Sequence, residues 1–281
     1  RPFFEIPDNQ DPIFGLITDR EASNTTIQYK IRHRKSSDGP ENLMDKREDY
    51  IHQLFGMMMG QRLNELLQTG EPPFIVGMVN YGDFERGYES LDALVATKPN
   101  EEATGLAALM TELERARRYG FTQGELDRSK AEILTRWEKY YNERDKISNE
   151  SYCDDYINHF LEGDAYLTAE DGYGLVQALL PTITPEDFTM RLESWITPEN
   201  QILLIKGPDD MEHLNKEQAF AVLASVAEAD IEPYEEEELA SSLIDTELPV
   251  ATLTASKNLE EFDAVEWTLE NGARVIFRHA D

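Results

Sequence analysis

Between Gly120 and Pro208 the chain sets out four helical patterns and one apolar strand in unbroken succession, and any fold must seat all five. Thr122-x-x-Glu125 is a capping box, whose hydroxyl and carboxylate satisfy amides left unpaired at a helix start. Leu126, Ile133, Trp137, Tyr140 and Tyr141 then recur at helical spacing to about Lys146. Ser148 opens a second helix, with Tyr152, Tyr156, Ile157, Phe160 and Leu161 as its apolar residues and Gly163 as its stop. Glu150, Asp154 and Asp155 lie in its first turns, where the helix dipole favours negative charge. A short helix over 170–180 follows. Thr184-Pro185-Glu186 opens another, with Phe188, Leu192 and Trp195 on one side. The run Ile202–Ile205 is too apolar for a half-exposed strand and is expected to be buried, with Gly207-Pro208 stopping it.

Upstream, residues 1–20 carry Pro2, Pro7 and Pro12 and read as an extended lead-in. Thr25–Arg34 alternates with period two: Ile27, Tyr29, Ile31 and His33 face one way, Gln28, Lys30 and Arg32 the other. Asp45–Thr69 is apolar nearly all round, which predicts a central buried helix. Its Met57–Met59 cluster fits core packing, with an adaptable binding surface as the alternative. Phe74–Tyr81 and Tyr88–Thr97 read as strands joined by a hairpin-like GDFERG, and Glu101–Tyr119 as a helix capped by Gly120.

Asn215–Ala229 is the last helix before the composition turns acidic and aperiodic at Pro233. Like charges there disfavour compaction, so a linker is expected. Alternating flanks around Asn271-Gly272 then give a hairpin over Val265–Arg278. The expected division is therefore a domain over 1–230, an acidic linker over 231–262, and the first hairpin of a truncated following domain over 263–281. The start at Arg1-Pro2, with neither Met nor signal peptide, suggests a piece of a longer polypeptide.

With 56 acidic against 26 basic residues the net charge is −30, which argues against nucleic acid or an anionic membrane surface as partner. Solubility explains that charge; attraction of cationic peptides or metal ions is the sharper alternative. No run approaches the length of a membrane span.

The inventory of reactive groups is thin. A zinc peptidase needs two imidazoles one helical turn apart, a carboxylate to work on the metal-bound water, and a third ligand. No pair among His33, His52, His159, His213 and His279 has that spacing, and neither H-E-x-x-H nor H-x-x-E-H occurs. Glu48 and His52 share a helical face but make a weak site alone. Cys153, the single cysteine, sits among acidic neighbours that raise a thiol pKa, so it is a poor nucleophile. Gly172-Tyr-Gly174 follows no strand and is no dinucleotide fingerprint; Asp154/Asp155 and Asp209/Asp210 are explained by capping and loops. No catalytic, cofactor-binding or metal residue is assigned.

The order of elements, ending in I-T-P-E-N-x-I-L-L-I-x-G-P, resembles the second structural domain of the pitrilysin / insulin-degrading enzyme / mitochondrial processing peptidase family of zinc metallopeptidases. The residues that carry the resemblance are Gly60-Gln-Arg-Leu-Asn-Glu-Leu66, Gly120-Phe-Thr-x-x-Glu-Leu126, Lys130-Ala-Glu-Ile133, His159-Phe-Leu-Glu-Gly163 and Leu180-Pro-Thr-Ile-Thr184, over about residues 12–230. Leu269-Glu-Asn-Gly272 resembles the ribbon that begins the next domain of the same family.

The resemblance implies an α+β fold, a mainly antiparallel sheet with long helices on one face. It implies zinc in a catalytic domain elsewhere in the parent and none here, because no position matches the zinc helix. Some non-catalytic domains of the family hold substrate backbone with an Arg and, seven residues on, a Tyr; Leu67 and Phe74 stand at the matching positions, so that pair is absent. The implied role is a wall of a peptide-binding chamber, with the catalytic domain of the same polypeptide or a partner subunit as neighbour and peptides as substrates. The compartment stays open, a periplasmic or otherwise exported one included, since a single cysteine does not decide it. A stand-alone acidic binding or scaffold module, and an inactive partner subunit of a two-subunit peptidase, are the alternatives.

Overall fold

The computed structural model describes residues 4–35, 42–163, 165–236 and 250–279, and the chain divides into two compact units between Glu236 and Glu237. In the first unit a five-stranded sheet is built from β1 (Ile13–Thr18), β2 (Thr25–Arg34), β3 (Val76–Glu85), β4 (Tyr88–Thr97) and β5 (Gln201–Gly207), in the order β1-β5-β2-β4-β3. Only β1 on β5 is parallel; every other pairing is antiparallel. This is the expected α+β arrangement.

Alternation decides which face is covered. Ile27, Tyr29 and Ile31 of β2, Val79 and Tyr81 of β3, Leu91, Ala93 and Val95 of β4, and Leu203 and Ile205 of β5 are all buried. Against them lie α1 (Leu43–Leu67) and α2 (Glu102–Tyr119), with α3 (Gln123–Asn142), α5 (Ala169–Leu179), α6 (Pro185–Trp195) and α7 (Lys216–Glu228) completing the helical layer; α4 (Asn149–Glu162) contributes nothing to the core. Met58 and Met59 are fully buried, which settles the methionine cluster as packing. Asn42 caps α1, Thr122 caps α3 through the expected box with Glu125, and Asn215 caps α7.

Four expectations need correction. The lead-in contains β1: its isolated, half-exposed apolar residues carry no clean period, and the strand exists because β5 offers it a parallel edge. Gly15 fits there because a Cβ would come within 2.9 Å of Leu204 Cδ1. Ile202 and Leu204 are only half-buried, because their side of the sheet has no helical cover. The chain stays attached past 230. Ile231 is buried, Arg115 Nε donates to the Glu232 carbonyl at 2.9 Å, and the Tyr234 hydroxyl donates to the Glu65 carboxylate at 2.9 Å. Lastly, part of the expected linker is a strand, while 237–249 lie outside the described residues.

The second unit is a three-stranded antiparallel sheet, β6 (Leu253–Leu259), β7 (Ala264–Leu269) and β8 (Arg274–Phe277), in that order. The β7–β8 hairpin turns where expected, at Gly272 with φ of 84°. Trp267 stacks on Phe277 with ring centroids 5.5 Å apart.

Candidate functional site

A group of titratable side chains gathers at one end of the sheet on its helical side. β2 brings His33 opposite Glu89 of β4, which in turn stands opposite Asp83 of β3. From α1 comes His52, whose ring lies 4.8 Å from that of Tyr81 and 5.5 Å from that of Trp195. Tyr81 and Trp195 are themselves stacked at 4.1 Å. The Tyr81 hydroxyl donates to Glu89 Oε2 at 3.2 Å.

Burial dominates the electrostatics of this group. It pushes His52 down to about 4, with Glu48 opposing and Arg191 adding to the shift. Burial likewise lowers His33, both of whose ring nitrogens are out of water with no hydrogen-bond partner among the described residues. Glu89 is raised by burial against the opposing bond from Tyr81, and Tyr81 is raised by burial and by the Glu89 charge. At neutral pH the two imidazoles and the Tyr81 phenol are therefore uncharged, packed beside the Glu89 carboxylate.

Glu48 and His52 are on one helical face as expected, yet the carboxylate faces elsewhere: Arg191 Nε donates to Glu48 Oε2 at 2.6 Å and its Nη2 pairs with Oε1. With the carboxylate on a guanidinium and the imidazole between two aromatic rings, these donors do not fit a zinc ion. Among the described residues no group of three or more His, Cys, Asp or Glu could hold a metal.

The remaining candidates are scattered. His213 Nδ1 lies 2.5 Å from Glu102 Oε1 and Nε2 lies 2.6 Å from the Pro208 carbonyl, while Glu102 Oε2 accepts the Leu214 amide at 2.8 Å. This knot ties the start of α2 to the loop after β5. His159, Cys153, Asp154 and Asp155 are exposed on α4, and His279 is exposed in the second unit. Asp209 and Asp210 are exposed in the loop after β5. Gly172 lies inside α5 because the Trp137 ring fills the place of a Cβ, whereas nothing approaches Gly174. Leu67 is half-buried and Phe74 is part of the core.

The face of the sheet away from the helices holds a cavity of about 330 Å³ lined by Gln28, Met78, Asn80, Ser90, Asp92 and Leu94. Asp92 is its polar centre, accepting from Gln28 Nε2 at 2.6 Å, Lys30 Nζ at 2.5 Å and Ser90 Oγ at 2.9 Å. Lys30 also stands 4.1 Å over the Phe84 ring. Sequence reasoning missed this network, although alternation had already placed Gln28 and Lys30 on one side of β2. Beside it, β3 forms an outer edge of the sheet.

No protein-family model matches the chain. A zinc protease PQQL-like protein of Arabidopsis thaliana is 23% identical over 283 residues, covering 100% of this chain and 26% of that protein, so the chain spans about a quarter of the length of the curated relative it matches. Among solved structures, the periplasmic protease PqqL from Escherichia coli superposes with a TM-score of 0.78 at 20% identity, over 100% of this chain and 31% of that one. The first half of the same protease gives 0.76 at 18% identity, over 84% of this chain and 51% of that one. An insulinase family protease from Yersinia pestis gives 0.64 at 12%, over 78% and 46%. Among the described residues no helix is long and apolar enough to cross a membrane.

Proposed function

We propose that this chain, which has the half-domain fold of the pitrilysin- and insulinase-type zinc peptidases, is a non-catalytic wall of the substrate chamber in a longer metalloendopeptidase. The observation that carries this reading is the commitment of the carboxylates beside the imidazoles. Glu48 is held by Arg191, and Glu102 by His213 and the Leu214 amide. Neither has the freedom to work on a metal-bound water. Zinc and the groups that use it belong to another domain of the polypeptide.

The helical layer is a packed scaffold, and the opposite sheet face is open, with the Asp92 network in it and the β3 edge beside it. An extended peptide can add to such an edge through main-chain hydrogen bonds, with side chains entering the neighbouring cavity. The second unit is the opening ribbon of the next half. In support, the share of this chain that is matched falls from 100% to 84% when only the first half of PqqL is compared. An exported location is part of the same proposal, and the likeness to PqqL, a periplasmic protease, supports it.

The test is direct. The purified 281-residue chain, incubated with zinc and an unstructured peptide, is expected to leave the peptide intact and to retain no stoichiometric zinc after desalting. Chelator-sensitive cleavage by this chain would overturn the reading.

A further inference from the structure

Every described side chain of α4 is at least partly exposed. Few contacts hold the helix: the Ser148 hydroxyl accepts the Ser151 amide at 3.2 Å, Gly163 closes the other end at φ of 87°, Arg86 Nη2 donates to the Leu161 carbonyl at 2.9 Å, and Tyr156 stacks on Tyr166 at 5.0 Å. Its apolar residues nonetheless form a stripe, because Tyr152, Tyr156 and Phe160 recur every four positions with Ile157 and Leu161 alongside. Phe160 is 86% exposed, Tyr156 55% and Ile157 51%.

Two physical arguments say that this stripe is covered. An isolated helix of about this length is marginal in water, and most helical stability comes from packing an apolar face. Soluble proteins also seldom leave a contiguous apolar patch uncovered unless it is an interaction site. The patch extends beyond α4. Tyr140 of α3, whose phenol is raised by burial and then by Asp155 and Tyr152, borders a cavity of about 370 Å³ lined also by Gln53, Ile133, Arg136 and Trp137.

We propose that the apolar face of α4, continued by Tyr140 and its cavity, is the seat of a companion domain of the same longer polypeptide, a folded surface that is apolar at its centre and basic at its rim. The inference rests on the reading of this chain as one part of a longer peptidase. Charge specifies the rim: Glu150, Asp154 and Asp155 are exposed on α4, which carries no Lys or Arg. Chain length specifies the occupant. This fold takes up 51% of the PqqL first-half structure, so that relative holds about as much polypeptide again outside it. A resident neighbour also suits the helix better than a passing peptide, since α4 needs cover in every molecule at all times.

Hydrogen exchange followed by mass spectrometry tests this on the 281-residue chain and on the longer polypeptide that contains it. Segment 149–162 is expected to exchange almost freely in the short chain and to be slowed by about tenfold or more in the long one. Phe160→Asp should remove most of that protection and lower the melting temperature of the long polypeptide, while leaving the short chain's unchanged. Equal exchange in the two polypeptides overturns the proposal. Protection that arises only on adding a free Lys/Leu amphipathic peptide also overturns it and assigns the face to peptide capture. A long polypeptide that protects α4 but shows no zinc-dependent cleavage would sink the peptidase reading and leave this surface standing.

Discussion

The Arg62 guanidinium and the Glu125 carboxylate meet fork to fork, Nε to Oε1 at 2.6 Å and Nη2 to Oε2 at 2.8 Å, both out of water. The same carboxylate accepts the Thr122 amide at 2.8 Å, so the cap of α3 and the ion pair share one group. Nη2 also donates to the Gly120 carbonyl at 3.0 Å, and the guanidinium lies 4.7 Å from the Phe121 ring and 4.3 Å from that of Tyr234. One pair thus fastens α1, the turn before α3 and the tail.

Removing one partner should cost far more than removing both. Arg62→Met leaves a buried carboxylate uncompensated, a loss of about 3–5 kcal/mol, whereas a well-packed apolar pair is often nearly neutral. Urea unfolding of Arg62→Met, Glu125→Leu and the double variant should therefore give a double cost well below the sum. Additive costs under about 1 kcal/mol each would show the pair to be incidental.

The tail makes a second prediction. Residues 231–236 are held by Arg115 on the Glu232 carbonyl, by Tyr119 on the Ile231 carbonyl at 2.9 Å, and by Thr122 and Arg128 on the Glu236 carboxylate. A chain ended at 236 should keep these bonds, and one ended at 230 should lose about 2–4 kcal/mol, at roughly 1 kcal/mol per net hydrogen bond. Equal urea midpoints for the two truncations would contradict this.

These contacts mark the limit of what the sequence discloses. Elements with a strong internal period were legible: Tyr88–Thr97 is the strand expected, and the helix over 123–142 begins at the expected box. The two stretches Gly60–Leu66 and Gly120–Leu126 were legible as signatures, but nothing along the chain says that Arg62 and Glu125 join them. The tail was misread for a related reason. Successive glutamates look self-repelling until Arg128 answers Glu236 and Arg62 stacks on Tyr234. β1 was missed because its stability lies in β5, far along the chain, where Ile13 finds Ile202 as its partner across the parallel pair. The open sheet face and bare α4 escaped for the opposite reason, since periodicity shows where a face is apolar and not whether anything lies on it.

The His213 knot carries a pH signature. Both ring nitrogens face acceptors, Glu102 and the Pro208 carbonyl, an arrangement that favours the imidazolium, which donates from both. Burial opposes this, but the Pro208 carbonyl and Glu102 outweigh it, and the pKa is raised. A raised folded pKa means the stabilisation is complete below the unfolded value of about 6.5 and is lost as pH rises through the folded value. Wild type should therefore lose stability relative to His213→Gln as pH rises above about 6.5 in urea unfolding. A gap between them that does not change with pH would remove the charged ring.

His52 should show the opposite sign. Its folded pKa of about 4 lies below the unfolded value of about 6.5, so in that window the unfolded chain binds the proton and the native one does not. Stability is thus full above about pH 6.5 and falls as pH drops towards 4, with His33 acting in the same direction because its pKa is also lowered. The charged groups facing His52 pull against each other: Glu48 and Asp83 raise it, Arg191 and Lys35 lower it, and burial decides. NMR titration of the imidazole carbons is expected to show the His52 ring, between Tyr81 and Trp195, still neutral at about pH 5.5. His52→Phe, which keeps a ring in the stack without a titrating group, should flatten the acid side of the stability profile. A His52 midpoint near the ordinary value of about 6.5 would mean that water reaches the ring and that the stack is looser than its 4.8 Å and 5.5 Å ring separations state.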